Sequence, residues 1–74
     1  MIILQTGAAY STETSDLAIK ILKVQYRSDN YTKVKAMLYN RINGIVYEHR
    51  SNYKLIHHRI RHWKILNPLT GQFQ

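Results

Sequence analysis

Apolar and polar residues alternate through much of the middle of the chain, from about residue 18 to residue 50. A period of two places successive side chains on opposite faces of a β-strand, so this pattern predicts strands. Asn43-Gly44 separates two β-rich runs, and this dipeptide favours a two-residue hairpin turn because the turn needs positive φ at both positions. A competing prediction is a helix over residues 32–42 with Gly44 just past its end. The apolar pattern resumes directly after the turn, which favours the hairpin.

An earlier turn is located by matching the apolar residues of the two strands that flank it. If Ser28-Asp29-Asn30 forms a three-residue loop, Val24 faces Val34 and the apolar sets coincide. A two-residue loop would set Val24 against Lys35, which is unfavourable. The sequence therefore predicts a three-stranded antiparallel meander over about residues 18–27, 31–42 and 45–50.

The predicted meander has an apolar inner face and a polar outer face. The inner face is predicted to carry Leu22, Val24, Tyr26, Val34, Ala36, Leu38, Ile42, Ile45 and Tyr47. Three other apolar residues then point outward, namely Ile19, Ile21 and Met37. We expect that corner to be covered, for instance by a short N-terminal strand at residues 1–4.

The last long apolar stretch, residues 53–66, fits a helix better than a strand. With the exception of Ile65, its apolar residues fall on one side of a helical wheel. Ser51 or Asn52 would cap this helix, and Asn67-Pro68 would end it.

The predicted fold class is therefore α+β and β-rich. The chain would form a single small domain, with a polar loop at residues 7–16 and a loose tail at residues 67–74. The alternative is an SH3-like small β-barrel, which results if residues 53–66 form a short turn and a closing strand.

Length and composition exclude several classes of function. The chain has 74 residues and no cysteine, which leaves room for one core and excludes disulfides and thiolate metal sites. The three glycines are isolated, so there is no phosphate-cradling loop, and no two carboxylates are placed for acid–base chemistry. A non-enzymatic binding module without a cofactor is expected. A membrane span of about 20 apolar residues and a secretory signal pattern are both lacking, so we expect a cytoplasmic location.

The distribution of charge indicates a class of partner. Eleven Lys and Arg residues against four Asp and Glu residues give a formal net charge of +7. All eleven cations lie between residues 17 and 66, where Asp29 and Glu48 are the acids, so that stretch carries +9. Such a field attracts polyanions such as nucleic acid, or an acidic protein surface.

The outer face of the meander is the first candidate site. Lys23 and Lys35 face each other in the predicted register, and like charges opposite each other destabilise an isolated sheet. A phosphate backbone would neutralise them, and tyrosines on the same face would pack on sugars or bases. The predicted nucleic-acid or polyanion-binding residues are Lys23, Arg27, Tyr31, Lys33, Lys35, Tyr39, Arg41 and Arg50.

A secondary basic face is predicted on the polar side of the 53–66 helix. It would carry His57, His58, Arg61, His62 and Lys64. In a helix, His58 and His62 have the i, i+4 spacing of a metal-binding pair, but no carboxylate or cysteine lies nearby to complete the site. We therefore predict no metal site, and we expect Trp63, on the apolar side, to lie in the core.

Two functions from different classes fit these features. One is binding of nucleic acid, DNA or RNA. The other is that of a small regulatory protein of the phage or mobile-element type, which binds an acidic surface of a larger protein through the corner of Ile19, Ile21 and Met37. In architecture alone, a three-stranded sheet with a helix behind it and a basic outer face resembles the small domains that read DNA with a sheet. A homodimer is compatible with so small a core.

Overall fold

The computed structural model describes residues 3–67 and 69–74 of the chain. They form one antiparallel sheet of five strands in the spatial order β4-β3-β2-β1-β5, together with one short helix. In chain order the elements are β1 Ala9–Ser11, β2 Leu17–Arg27, β3 Tyr31–Asn40, β4 Val46–Ile56, α1 His57–Ile60 and β5 Lys64–Leu66. The predicted small, β-rich antiparallel fold is thus confirmed. The three long strands are consecutive in the chain and adjacent in the sheet.

The turn between β2 and β3 has the predicted length, and the predicted register holds at two residue pairs between the bulges of β2. Residues 28–30 connect the strands, and the backbone N–H of Ser28 donates to the carbonyl of Tyr31 at 2.9 Å. Val24 pairs with Val34, and Lys23 pairs with Lys35. The apolar matching across the loop therefore located this turn correctly.

A register shift in β2 between Ile21 and Lys23 corrects the predicted faces. The extra residue at this bulge makes Ile21, rather than Leu22, the partner of Ala36. Ile19 and Ile21 consequently point inward, and both are buried. The prediction that they form an outward corner was wrong. It assumed that inward and outward side chains alternate without interruption along β2, and no feature of the sequence indicates the bulge.

A second shift, between Val24 and Tyr26, reverses the faces again near the end of β2. Tyr26 pairs with Lys33 and is 54% exposed, so its assignment to the inner face was wrong. Arg27 pairs with Thr32 and turns towards the core side, where its guanidinium donates to the carbonyl oxygen of Leu4. The two bulges together decide which side chains of β2 meet solvent.

The turn between β3 and β4 is longer than the predicted two residues. β3 ends at Asn40, whose side-chain oxygen accepts from the backbone N–H groups of Ile42 at 2.8 Å and Asn43 at 3.1 Å. Gly44 closes the turn with φ +77°, and its N–H donates to the Asn40 carbonyl. This side-chain bonding outcompetes the two-residue turn.

The apolar residues of this turn lie outside the core as a result. Ile42, Ile45 and Tyr47 are 67%, 58% and 54% exposed, whereas the sequence pattern assigned them to the inner face. Val46 now pairs with Tyr39 instead of Arg41, which moves the register by two residues. We name Ile42, Ile45 and Tyr47 the hairpin tip.

The helix predicted for residues 53–66 is wrong in its extent. Residues 53–56 belong to β4, the helix has four residues, and β5 begins at Lys64. The physical reason lies in β3. If the strand after it ended at residue 50, as predicted, half of β3 would have no backbone partners on that side. Residues 51–56 provide them, pairing with residues 31–36.

Segments predicted to be irregular at both ends add to the sheet. β1 lies within the predicted loop of residues 7–16 and pairs with β2 and β5. In the predicted loose tail, Phe73 bridges to Leu66, and the N–H of Gln74 donates to the carbonyl of Ile65 at 3.1 Å. The predicted N-terminal strand lies partly outside the described residues, as does Pro68, and Ile3 and Leu4 are not in a strand.

Two apolar clusters lie on opposite faces of the sheet. The larger one, on the inner face, contains Leu4, Tyr10, Ile19, Ile21, Val34, Ala36 and Ile60. Trp63 is half-buried against it. The smaller one, on the outer face, contains Ala9, Ala18 and Leu66 with Tyr39 and Phe73 packed against them. Within the described residues the one helix has four residues, so no helix there is long enough to cross a membrane.

Candidate functional site

The outer face of β2, β3 and β4 brings four lysines and two tyrosines together. Lys33 pairs with both Tyr26 on β2 and Lys54 on β4, which forms one row across three strands. Lys35 pairs with Lys23 and Asn52, which forms the next row. Period-two alternation along β3 places Tyr31 on the same face. We name this set the basic face: Lys23, Tyr26, Tyr31, Lys33, Lys35 and Lys54.

In the part of the chain that the structure describes, the lysines of the basic face have no carboxylate partner. Within residues 3–67 and 69–74, the one ion pair joins Lys64 to Glu13, away from this face. That contact lowers the pKa of Glu13 through the hydrogen bond and the charge of Lys64. The carboxylate of Glu48 accepts a hydrogen bond from Ser51 instead. Neighbouring strands lie about 4.8 Å apart, so the lysine positions on each row are close and mutually repulsive.

The tyrosines sit at one end of this face in a defined arrangement. The rings of Tyr26 and Tyr31 have centroids 5.9 Å apart and are tilted by 43°. The ammonium group of Lys54 lies 4.4 Å from the centroid of the Tyr31 ring, a cation–π contact. Tyr31 is therefore occupied on one side, whereas Tyr26 offers the more exposed aromatic surface.

Three of the residues predicted from sequence do not join the basic face, and the position of a fourth, Arg50, relative to that face is not defined by strand pairing. The guanidinium of Arg27 is directed to Leu4, as described above. Tyr39 packs in the smaller apolar cluster, and burial raises the pKa of its hydroxyl. Arg41 donates to the Ser15 carbonyl at 2.7 Å and lies over the Phe73 ring. Arg50 is exposed on β4, in the stretch where its pairing with β3 is irregular.

Sequence reasoning missed Lys54 and Tyr26. Lys54 was placed in a helix, although the run Asn52 to Leu55 alternates in polarity like a strand and was a usable signal. Tyr26 was placed on the inner face because nothing in the sequence marks the bulge before it.

The predicted secondary basic face is dispersed in the structure. Arg61 donates to the carbonyl of His58 at 2.9 Å, and both are exposed. His62 lies beside Trp63. Lys64 is on β5 and forms an ion pair with Glu13. The helix ends before His62, so the i, i+4 pair is not formed on one helix. Within the described residues, no group of three His, Cys, Asp or Glu side chains is placed to hold a metal ion.

His57, which directly follows β4, makes structural hydrogen bonds through its imidazole ring. Its Nδ1 lies 3.1 Å from the carbonyl oxygen of Asp29, and its Nε2 lies 2.7 Å from the hydroxyl of Thr32, which is buried. Because a carbonyl only accepts, Nδ1 carries the proton, and in the neutral ring Nε2 accepts from Thr32. The backbone N–H of His57 also donates to Asn30 at 2.9 Å. His57 therefore joins the start of the helix to the β2–β3 turn.

Comparisons with protein-family models, with curated proteins and with solved structures find no match. Function is therefore inferred from the chain's own residues and their geometry.

Proposed function

We propose that the protein is a non-enzymatic nucleic-acid-binding module that holds the phosphate backbone against its basic face. The observation that carries this proposal is the pair of adjacent rows that place Lys23, Lys33, Lys35 and Lys54 together without a carboxylate partner. Keeping four like charges on one face costs stability in the free protein. A row of phosphates removes that cost and releases condensed counterions.

Geometry supports contacts of two kinds on this face. Two residues along a strand advance about 6.8 Å, so the lysine rows present cations at intervals that a flexible phosphate backbone can follow. The exposed ring of Tyr26 adjoins the first row and provides a surface for a sugar or an unpaired base. Phosphate contacts supply affinity without reading sequence, so we expect weak sequence preference.

Charge reversal on β3 tests this proposal. The double variant Lys33→Glu and Lys35→Glu should bind a labelled oligonucleotide far more weakly than the parent. Loss of about two phosphate contacts should also reduce the slope of log affinity against log salt by about 1.4 to 1.8. The measurement is fluorescence anisotropy over a salt series, with DNA and RNA probes.

The matched control is the double variant Arg59→Glu and Arg61→Glu. It has the same net charge, but its changes lie at the short helix and outside the basic face. It should keep most of the affinity and nearly the parental salt slope. Equal losses in the two double variants would show that only total charge matters, and would contradict a site on the basic face.

A second function, that of a small regulatory protein that binds an acidic surface of a larger protein, has one observation in its favour. Two of the three residues of the predicted apolar anchor, Ile19 and Ile21, are buried, but the hairpin tip exposes three large apolar side chains. A complex formed through the apolar hairpin tip would persist at moderate salt concentration, whereas the affinity for nucleic acid should fall by orders of magnitude. Retention of one acidic protein in a nuclease-treated pull-down at moderate salt, and its loss on Ile42→Ser with Ile45→Ser, would favour this alternative.

A further inference from the structure

The outer edge of β4 is unpaired in the part of the chain that the structure describes. β4 lies at one end of the strand order, so one side of it has no neighbouring strand. Its pairing with β3 is regular over residues 51–56, whereas the register shifts between Glu48 and Ser51. Bulges of that kind interrupt pairing between sheet edges. The regular stretch of residues 51–56 is therefore the part of this edge that can accept another strand.

The register shows which backbone groups of this stretch point outward. The N–H of His57 donates to the Asn30 carbonyl at 2.9 Å, so these two residues form a hydrogen-bonded pair at the end of the β3–β4 ladder. Hydrogen-bonded and non-hydrogen-bonded pairs alternate along an antiparallel ladder. Every second residue of β4, counted back from His57, therefore bonds to β3. The residues between them direct their N–H and C=O groups away from β3, where no described strand receives them, and these are Asn52, Lys54 and Ile56.

The side chains beside this edge determine which strand would pair with it. Lys54 lies on the outer face next to Lys33, and no carboxylate of the described residues forms an ion pair with it. Opposite charges at facing strand positions are favourable, so the residue that faces Lys54 should be Asp or Glu. Tyr53 and Leu55 lie on the inner face and are half-buried against the larger apolar cluster. Apolar residues facing them would extend the inner layer, so the matching strand alternates acidic and apolar residues.

A second copy of the chain matches this edge less well. A symmetric antiparallel pair centred on Lys54 would set the two lysines directly opposite each other. A pair centred on Asn52 would bring Lys54 to Arg50, again a like charge. Pairing between copies is therefore confined to a register centred on Tyr53, in which Lys54 faces Asn52 and gains no opposite charge. An acidic strand has the better charge match.

We propose that residues 51–56 of β4 bind an extended peptide segment of another protein, in which acidic and apolar residues alternate, as an added antiparallel strand. Backbone hydrogen bonds to β4 supply the affinity, and the acidic residue facing Lys54 supplies the specificity. The proposal does not depend on the nucleic-acid function, because the backbone at the edge of the sheet makes the bonds. Only Lys54 belongs to both sites.

Two methylated peptides test whether the backbone of β4 makes the contact. The starting peptide is Thr-Val-Glu-Val-Glu-Val-Thr with blocked ends and a neutral fluorophore, and its two glutamates face Lys54 and Asn52 in the proposed register. Their N–H groups donate to β4, so N-methylation of both should weaken binding to the full chain by about 5- to 150-fold, as two net hydrogen bonds provide. N-methylation of the first two valines is the matched control, because their N–H groups point away from β4, and it should leave the affinity nearly unchanged.

Fluorescence anisotropy measures these affinities. Equal affinity of the two methylated peptides would overturn the proposal, and so would an absence of saturable binding of the starting peptide up to its solubility limit.

A peptide with lysine in place of both glutamates tests the charge match. The parent protein should prefer the glutamate peptide, and Lys54→Glu should lower that preference by roughly 2- to 30-fold. Arg59→Glu makes the same change in net charge at the short helix and should keep the preference. An equal loss of preference in the two variants, or no preference in the parent, would contradict the role of Lys54.

A proline at the edge tests the location from the side of the protein. The N–H of Asn52 points outward, so Asn52→Pro removes a donor to the peptide without removing a bond to β3. It should bind the peptide roughly 2- to 10-fold more weakly than Asn52→Ala, whereas both variants should bind an oligonucleotide alike. Equal peptide affinity of the two folded variants would overturn the proposal. So would sedimentation of a stable dimer that excludes the peptide, because the occupant of the edge would then be a second copy of the chain.

Discussion

Tyr26 and Tyr47 show how strongly the role of a residue depends on its place in the register. Both side chains are 54% exposed, and both were assigned to the inner face from the alternation of the sequence. A bulge in β2 places Tyr26 in the same row as Lys33 and Lys54. The five-residue turn between β3 and β4 leaves Tyr47 at the hairpin tip. The two residues are equal in type and exposure but differ in their neighbours, which makes them a matched pair.

We therefore expect Tyr26→Ala to weaken binding of a single-stranded oligonucleotide by about 5- to 150-fold, because stacking of one base on an aromatic ring contributes about 1–3 kcal/mol. Tyr26→Phe should retain most of the affinity. Tyr47→Ala serves as the control and should bind like the parent. The measurement is fluorescence anisotropy at fixed salt. Equal effects of the two alanine substitutions would show that Tyr26 is not a stacking surface.

At the scale of elements, the sequence predicted what depends on local chemistry and side-chain alternation. The turn at residues 28–30 and the opposition of Lys23 and Lys35 followed from matching apolar residues across a loop. The end of β4 could not be predicted in this way. Residues 53–56 form a strand because they supply backbone partners to the first half of β3, which is distant in sequence. The bulges of β2 were equally inaccessible, since any residue can occupy them.

The candidate site was predicted to a similar degree. Lys23, Lys33, Lys35 and Tyr31 share the outer face as expected, since they lie on the correctly registered part of the sheet. Arg27 is displaced by a bulge, and Arg41 lies in the turn instead of the strand. Errors in the site therefore follow directly from errors in the strands.

The contact of His57 with the β2–β3 turn leads to a prediction about stability. His57→Ala removes hydrogen bonds to Thr32 and to Asp29, so it should lower the free energy of unfolding by about 1–3 kcal/mol. His58→Ala is the matched control, because His58 is the exposed neighbour, and its effect should stay within about 0.5 kcal/mol. Urea denaturation followed by circular dichroism measures both. Equal stability of the two variants would show that the His57 contacts contribute nothing.

At the scale of the whole molecule, the C-terminal tail lies along the β5 edge of the sheet and reaches the turn after β3. Residues 72–74 run beside β5, and the side chain of Phe73 lies 5.1 Å from the guanidinium of Arg41. Gly71 permits this course, since its φ is +72° and a Cβ there would lie 2.8 Å from the Arg41 carbonyl oxygen. The tail is thereby attached to the turn that follows β3.

Gly71→Ala should consequently lower the melting temperature more than Gly7→Ala. Both glycines have positive φ, but a Cβ at Gly7 would meet nothing, so its cost is conformational alone, about 1–2 kcal/mol. Gly71→Ala adds a backbone clash that displaces the tail. One kcal/mol shifts the melting temperature of a domain of this size by about 4–8 °C. Equal melting temperatures would indicate that the tail does not contribute to the fold in solution.

The bridge between Leu66 and Phe73 also determines how copies of this chain could join through their backbones. The C-terminal residues pair with Ile65 and Leu66 of β5, which leaves the long strand β4 as the uncovered border of the sheet within the described residues. A fibre grows only if each subunit presents two free borders, one for the preceding copy and one for the next. With a single free border, backbone pairing ends at two molecules related by a two-fold axis. The C-terminal segment thus covers part of the β5 border, and we expect backbone pairing between copies to run through β4.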